Sequence, residues 1–471
     1  MKLTTIIPVA LSQVLLLSAV HAQEKKTSPN LIIILADDLG NADVGFNGCK
    51  DIPTPNIDRI ARSGVRFTSG YVSYCVCGPS RAGILTGRYQ DRFGFSRNPL
   101  FTPNDSTMGL PLSEETLADV LKRAGYKSMA IGKWHMGAHE LFHPLKRGFD
   151  DFYGFLSGGH EYFPELLTLN DPFEAKTQFD GYKTKLLRNY QRVDEKEYLT
   201  DAFSREAVSY IEKNKDHPFF IYLAYNAPHT PLQATKEYLS RFAQLKEGKR
   251  KTYAAMVSAL DDGVGKVLDK LDELKLADNT IVVFLSDNGG PEQHNGSDNG
   301  VLRGGKGQVF EGGIRVPFAM QWPGKIPADM VYNKPVISLD LFATIIAQTK
   351  IPVNTKHHLD GVNLIPYLDG EKSDAPHDFL FWRKYDAKEY AVRNGNNKMI
   401  LKGDSKQSLF DLDQDISEQN NLSSEKPNQV RQLSDEIKKW EKNLLSPAFL
   451  GLLQDAQYNE NHLDRFQKKT E

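Results

Sequence analysis

Leu31-Ile32-Ile33-Ile34-Leu35-Ala36-Asp37-Asp38 decides the architecture of this chain. The run Leu31 to Leu35 is apolar without alternation, so it has no polar face. That pattern suits a strand covered on both sides, as in the middle of a parallel sheet. The run ends on two adjacent carboxylates. In an open α/β sheet, ligand groups gather beyond the carboxyl ends of the strands, which makes Asp37 and Asp38 candidates for a site. Adjacent acids repel unless a cation lies between them.

The same alternation of apolar run and helical stripe continues along the chain. Ile57, Ile60 and Ala61 mark a short helix that Gly64 can end, and residues 65–68 read as the next strand. Leu117, Val120, Leu121 and Ala124 recur at helical spacing, with Ser113 as N-cap and Gly125 as stop. Strands are expected at 128–131 and 219–225, and helices around 202–211 and 252–274. Ile281-Val282-Val283-Phe284-Leu285 closes the series, followed by Asp287 and Asn288. The alternation predicts an α/β fold with a large, mostly parallel sheet sandwiched by helices. From about residue 371 the character changes to short strands, at 379–382, 390–393, 398–401 and 408–412, with turns such as Asn394-Gly395. A polar helix from about 427 to 444 follows. A small C-terminal antiparallel sheet with a helix is expected there.

Composition excludes some classes. The 471 residues carry a formal net charge of −2, which gives no global electrostatic case for nucleic acid as a partner. Three cysteines, Cys49, Cys75 and Cys77, do not make a disulfide framework; Cys49 and Cys75 are either buried or paired with each other. Lys2, the apolar run 6–20 and Val20-His21-Ala22 read as a secretory signal ending before Gln23, with an N-terminal membrane anchor as the alternative. No cysteine follows the cut, so no lipoprotein anchor is indicated, and no other stretch is long enough for a membrane span.

The chemistry concentrates in Tyr74-Cys75-Val76-Cys77-Gly78-Pro79-Ser80-Arg81-Ala82-Gly83-Ile84-Leu85-Thr86-Gly87-Arg88. Pro79 suits the first residue of a helix. Cys77 then lies at a helix N-terminus, where free N–H groups favour an anion, and Arg81 can fork onto a tetrahedral oxyanion. Asp37, Asp38, Asp287 and Asn288 form an all-oxygen set suited to a hard cation, Ca²⁺ or Mg²⁺, better than to zinc. Lys133 and His135 follow a strand in Gly132-Lys133-Trp134-His135 and point the same way if that stretch is extended. His229 sits between prolines in Asn226-Ala227-Pro228-His229-Thr230-Pro231. Lys306 sits in the glycine-rich Arg303-Gly304-Gly305-Lys306-Gly307, where an anion can approach the backbone. Sugar-contact candidates are His160 and Glu161 in an aromatic and polar segment, with Arg97, Asn98, His294, Asp298 and Arg303 as rim residues.

Cys77-Gly78-Pro79-Ser80-Arg81 followed by Leu85-Thr86-Gly87-Arg88 resembles the modification motif of type I sulfatases, of the alkaline phosphatase superfamily. The lysine and histidine segments, and Leu409-Phe410-Asp411-Leu412 near the C-terminus, resemble that family too. The resemblance implies residues 23–370 as the catalytic domain after a signal peptide at 1–22, and 371–471 as a C-terminal subdomain. It implies that a formylglycine-generating maturation enzyme oxidises Cys77 to formylglycine, whose hydrate attacks sulfur. It implies Ca²⁺ held by Asp37, Asp38, Cys77, Asp287 and Asn288, with Asp287 also taking a proton. Lys133, Lys306 and Arg81 would stabilise the sulfate oxygens, His229 would protonate the leaving oxygen, and His135 would help expel sulfate. The implied substrate is a sulfated oligo- or polysaccharide met in the periplasm or outside the cell. A marine algal galactan such as carrageenan comes first, with ulvan or host glycosaminoglycan behind it. Two other classes stay open: a phosphate or phosphonate ester hydrolase of the same superfamily, and a non-catalytic glycan-binding relative.

Overall fold

In the computed structural model, which describes residues 28–349, 351, 358–403 and 406–468, every residue of the strand Asn30–Ala36 is buried. The expected signal segment at 1–22 lies outside the described residues. Thr280–Ser286 and Phe219–Ala224 flank Asn30–Ala36, both parallel to it. Lys127–Lys133 and then Asp151–Phe155 extend the parallel set. Helices cover both faces, which is why these runs carry no polar alternation. Leu31, Ile33 and Leu35 share a core with Ile84, Leu117, Leu121 and Phe342. Ile32 and Ile34 point the other way, into a core with Ile57, Phe203, Met256 and Val257.

The edges turn the sheet mixed. Phe318–Gln321 runs antiparallel beside Thr280–Ser286, followed by Val65–Phe67 and Met330–Tyr332; Leu186–Arg188 and Gln191–Val193 close the opposite edge, giving ten strands. Among the described residues, no helix is long and apolar enough to cross a membrane.

Two local expectations need correction. The helix Leu117–Arg123 is capped by Thr116, not Ser113, because Thr116 and Asp119 exchange bonds as a capping box. The helix Cys77–Thr86 begins at Cys77, which makes Pro79 its third residue. The first intrahelical bond starts at Ser80, whose N–H donates to Val76, so a proline at that place loses nothing.

Leu380–Lys384, Glu389–Asn394, Asn397–Lys402 and Lys406–Asp411 form an antiparallel meander. The helix Pro427–Glu441 packs on it through Val430, Leu433 and Ile437. A buried charge cluster joins this sheet to Tyr71 of the short strand Gly70–Tyr71 and to Glu311 of the helix Glu311–Ile314. Lys398 Nζ lies 2.9 Å from Glu311 and 2.8 Å from Glu418, and none of the three side chains reaches solvent. The Tyr71 hydroxyl donates to Glu311 at 2.5 Å and Arg393 donates to that hydroxyl, while the Glu311 N–H donates to Glu418 at 2.7 Å. Of the two alternatives for Cys49 and Cys75, pairing does not occur: both thiols are free.

Candidate active site

Four neighbouring strands deliver the site from their carboxyl ends. Asp37 and Asp38 follow Ala36, Asp287 and Asn288 follow Ser286, the turn 226–231 follows Ala224, and Lys133 ends its own strand. The ladder continues into the site: the Asp287 N–H donates to Ala36 at 3.0 Å and the Asp37 N–H to Ala227 at 3.1 Å. Gly132 precedes Lys133 at φ +94°, and a Cβ there would lie 2.0 Å from the Ala224 carbonyl oxygen. Only glycine allows that approach of the lysine strand to the histidine strand.

The side chains then interlock. Cys77 Sγ lies 3.5 Å from Asp37 Oδ1, and Lys133 Nζ 2.5 Å from Asp37 Oδ2. Lys306 Nζ lies 2.8 Å from Asp38, and Asn288 Nδ2 donates to Asp38 at 2.7 Å. His229 Nε2 lies 3.6 Å from Asp38, while its Nδ1 sits 2.6 Å from the Thr230 carbonyl. That contact assigns the proton of a neutral ring to Nδ1 and turns Nε2 toward the site. Arg81 reaches Asp287 Oδ2 with Nε at 2.9 Å and Nη2 at 2.8 Å, and donates from Nη1 to the Lys133 carbonyl at 2.9 Å.

Three carboxylates thus face three cations, all buried except the partly exposed Lys306. Burial acts against Asp38, yet Lys306, His229 and Lys133 hold its carboxyl well below the usual range. Burial and the charge of Asp37 push Asp287 up to about 6 against the pull of Arg81. Burial pushes the Cys77 thiol up to about 12, so as a plain thiol it is protonated at neutral pH and a poor nucleophile. Burial, Lys306 and Lys133 push His229 down to about 3; burial and Lys133 lower His135 as well.

The carboxylates and the Asn288 amide offer oxygens suited to a hard cation, with the Cys77 thiol and the His229 imidazole beside them. Ligand atoms of Asp37, Asp38, Cys77 and His229 all lie within 4.8 Å of one another. Asn288 Oδ1 is buried with no hydrogen-bond partner among the described residues, and its own amide is the group bonded to Asp38. Asp287 keeps one oxygen on Arg81, and its Oδ1 accepts only a long 3.3 Å bond from the Asp38 N–H.

Several sequence expectations change here. The N–H of Gly78 is already bonded to Asn98 Oδ1 at 2.8 Å and Pro79 has none, so the helix start offers an anion less than its position implied. Arg81 is spent on Asp287 and the Lys133 carbonyl and does not point into open space. Alternation does not align His135 with Lys133, because the strand ends at Lys133 and His135 takes a left-handed φ of +55°. His135 still faces the site, among Lys133, Arg81 and Lys306.

Among the sugar-contact candidates, Arg97, Asn98 and His294 line a cavity of about 410 Å³ that reaches Lys306 and is closed by Lys384, Asp386 and Leu452–Gln454 of the C-terminal part. Arg97 is tied across it to Asp386 at 2.5 Å. Arg303 instead bonds the Glu418 carbonyl at 2.6 Å and covers the Phe310 ring, and Asp298 caps the Gly300 N–H. Glu161 accepts from Gln233 at 2.5 Å. His160 is wholly buried, its ring 4.4 Å from that of Phe155, and is not a rim residue.

Burial lowers His160 from 6.5 to about 4. Between these values the unfolded chain binds a proton that the fold refuses. Stability is therefore lost as pH falls through that window, by up to about 1.4 kcal/mol per unit for this one group. His160→Gln is expected to flatten the acid limb relative to its own stability at neutral pH, measured by urea denaturation at several pH values. Equal acid sensitivity with and without the imidazole would refute this.

Two positioning groups escaped the sequence. The Asn299 amide accepts from the Asn41 and Gly290 N–H groups at 3.3 and 3.0 Å and donates to the Gly290 and Gly304 carbonyls at 2.9 and 3.2 Å. It thereby ties together the loops bearing Asp38, Asn288 and Lys306. The Tyr162 hydroxyl lies 2.6 Å from the Asn226 carbonyl and 2.7 Å from that of His229, bracing the histidine turn. Both roles depend on contacts remote in sequence, and nothing local marks them.

Residues 29–351 match the family described as Sulfatase, and residues 305–444 match the family described as N-sulphoglucosamine sulphohydrolase, C-terminal. N-acetylgalactosamine-6-sulfatase of Homo sapiens is 37% identical over 362 residues, covering 74% of this chain and 67% of that protein. Steryl-sulfatase of Homo sapiens is 34% identical over 424 residues, covering 75% and 72%. The solved structure of Ps i-CgsB in complex with k-i-k-neocarrahexaose is similar with a TM-score of 0.85 at 40% identity, covering 94% of this chain and 100% of that one.

Proposed function

The chain belongs to the sulfatase family and is a sulfuric ester hydrolase, and we propose that its substrate is a sulfated glycan, first a carrageenan-type polysaccharide. We further infer that Cys77 works as formylglycine beside one calcium ion. The observation that carries the reading is the meeting of Cys77 with three carboxylates and three cations at adjacent strand ends. The glycan reading is supported by the likeness to Ps i-CgsB, whose structure holds k-i-k-neocarrahexaose. The apolar run after Lys2 supports export to the periplasm or beyond.

Asp37, Asp38, Asp287, Asn288 and the modified Cys77 would hold the calcium, which supplies positive charge and eases deprotonation of a hydroxyl. Oxidation of Cys77 supplies an aldehyde hydrate, a hydroxyl nucleophile in place of a thiol that burial keeps protonated. The remaining work falls to the chain itself. Asp287 Oδ1 takes the proton, since Arg81 occupies Oδ2. The ammoniums of Lys133 and Lys306 each carry three N–H donors and turn those not bonded to Asp37 and Asp38 toward the sulfate oxygens. Arg81 positions Asp287 and the Lys133 backbone. His135, kept neutral by its surroundings, accepts the later proton. His229 Nε2 delivers a proton to the leaving sugar oxygen.

Protein made alongside a formylglycine-generating enzyme should release sulfate from carrageenan oligosaccharides, and its Cys77 peptide should show aldehyde or hydrate in place of thiol by mass spectrometry. Full activity with only the thiol present would overturn the nucleophile. Preference for phosphate over sulfate esters would overturn the reaction class.

A further inference from the structure

Gly158 and Gly159 make a floor on which two side chains meet. A Cβ on Gly158 would lie 2.6 Å from His135 Nε2, and one on Gly159 would lie 2.5 Å from Tyr182 Cζ and 2.7 Å from its hydroxyl oxygen. One loop thus meets the His135 imidazole at Gly158 and the Tyr182 phenol at the next residue, Gly159. The charges acting on it are those of the site: Lys306, Cys77, Asp37 and Asp38. Burial keeps the phenol protonated, a neutral donor and acceptor. Among the described residues the hydroxyl has no hydrogen-bond partner.

Tyr182 reaches this place from a turn, Gln178–Lys183, that lies in the chain between the strands Asp151–Phe155 and Leu186–Arg188. The turn is anchored on both sides. The Tyr182 carbonyl accepts from the Glu161 N–H at 3.0 Å, and Gln178 accepts from the Phe101 N–H at 2.8 Å. Asp180 closes it by accepting from Thr177 Oγ1 and Lys183, each at 3.0 Å. Phe179 stands at its outer edge, 63% exposed, its ring edge-on to Tyr182 with centroids 5.8 Å apart. A fixed hydroxyl beside an exposed aromatic face matches a sugar, which has hydroxyls on its rim and C–H groups on its face. A sulfate group alone would not need the second feature.

We propose that Tyr182 and Phe179 are specificity-determining residues: the Tyr182 hydroxyl hydrogen-bonds an oxygen of the sulfated sugar, and Phe179 packs on that sugar's apolar face. The assignment rests on the sulfated-glycan reading. It places this contact on the His135 side of the site, apart from the cavity lined by Arg97 and His294.

The test compares the mature enzyme with Tyr182→Phe and Phe179→Ala on a sulfated carrageenan oligosaccharide and on a small aryl sulfate. Losing one neutral hydrogen bond should lower kcat/KM on the oligosaccharide by about 3–10-fold, mainly through KM, with the aryl ester unchanged within about twofold. Phe179→Ala, at an exposed position, should show the same substrate contrast without loss of thermal stability. Equal losses on both substrates would assign Tyr182 to sulfate or to the fold and overturn the proposal. So would an unchanged kcat/KM on the oligosaccharide, which leaves the glycan reading intact. Wild-type enzyme that cleaves only the aryl ester overturns both.

Discussion

Replacing Cys77 with alanine should reduce sulfate release by on the order of 10⁴–10⁶-fold, the scale on which enzymes lose a covalent nucleophile. The residue is 1% exposed, and alanine is smaller, so the helix Cys77–Thr86 and the strand ends beneath it have no reason to move. Thermal melting should therefore shift little, which separates lost chemistry from lost fold. Lys133, Lys306 and His229 remain, so sulfated oligosaccharide should still bind, measurable by calorimetry on the inactive protein. A Cys77→Ala protein that keeps more than about one hundredth of the wild-type rate would show that another group attacks sulfur.

His229→Ala should cost about 10²–10⁴-fold on a sugar sulfate and far less on an activated aryl sulfate. A sugar alkoxide needs a proton as it leaves; a nitrophenolate does not. The ring is oriented for this, with Nδ1 on the Thr230 carbonyl and Nε2 facing Asp38. In the free enzyme His229 is pushed down to about 3, so its Nε2 is bare at neutral pH. A bound sulfate ester adds a negative charge among the lysines and favours the imidazolium. His229 thus takes up a proton from solvent as the anion binds, and passes that proton to the leaving oxygen. Equal losses on the two substrates would make His229 a sulfate-binding or structural residue. Lys306, held well above its ordinary value chiefly by Asp38 against its burial, would then be examined as donor.

The parts legible in the sequence are those whose signal is local. Leu31 to Leu35 and Ile281 to Leu285 have no polar face, and helices do cover both sides of them. Asp37, Asp38, Asp287 and Asn288 sit directly after such runs, so their place at the strand ends could be read off. The C-terminal strands announced themselves by short apolar stretches and turns. What could not be read is the pairing between remote segments. Phe318–Gln321 is too short to show a period, and its antiparallel seat beside Thr280–Ser286 depends on long-range register. Arg81 looked like an anion fork from its motif, but its partners come from the ends of two other strands. His160 looked like a sugar-contact residue because the segment's composition does not show that its chain folds the imidazole back against Phe155, inside the protein. Asn299 and Tyr182 carry no motif, and their place in the site depends on loops remote from them in sequence.

The cluster of Lys398 with Glu311 and Glu418 has a consequence for exchanging parts between relatives. Glu311 opens the short helix Glu311–Ile314, just after the glycine-rich loop that carries Lys306, while Lys398 belongs to the meander. A chimera joined near residue 371 therefore inherits one half of an ionic lock from each parent. If the donor meander lacks a cation at the place of Lys398, two buried acids face each other beside the loop of Lys306. Breaking such a buried pair from one side costs about 3–5 kcal/mol. Recombination that aims to move substrate preference with the C-terminal part must transplant Tyr71, Glu311, Arg393, Lys398 and Glu418 as one inherited unit, although they are scattered along the chain.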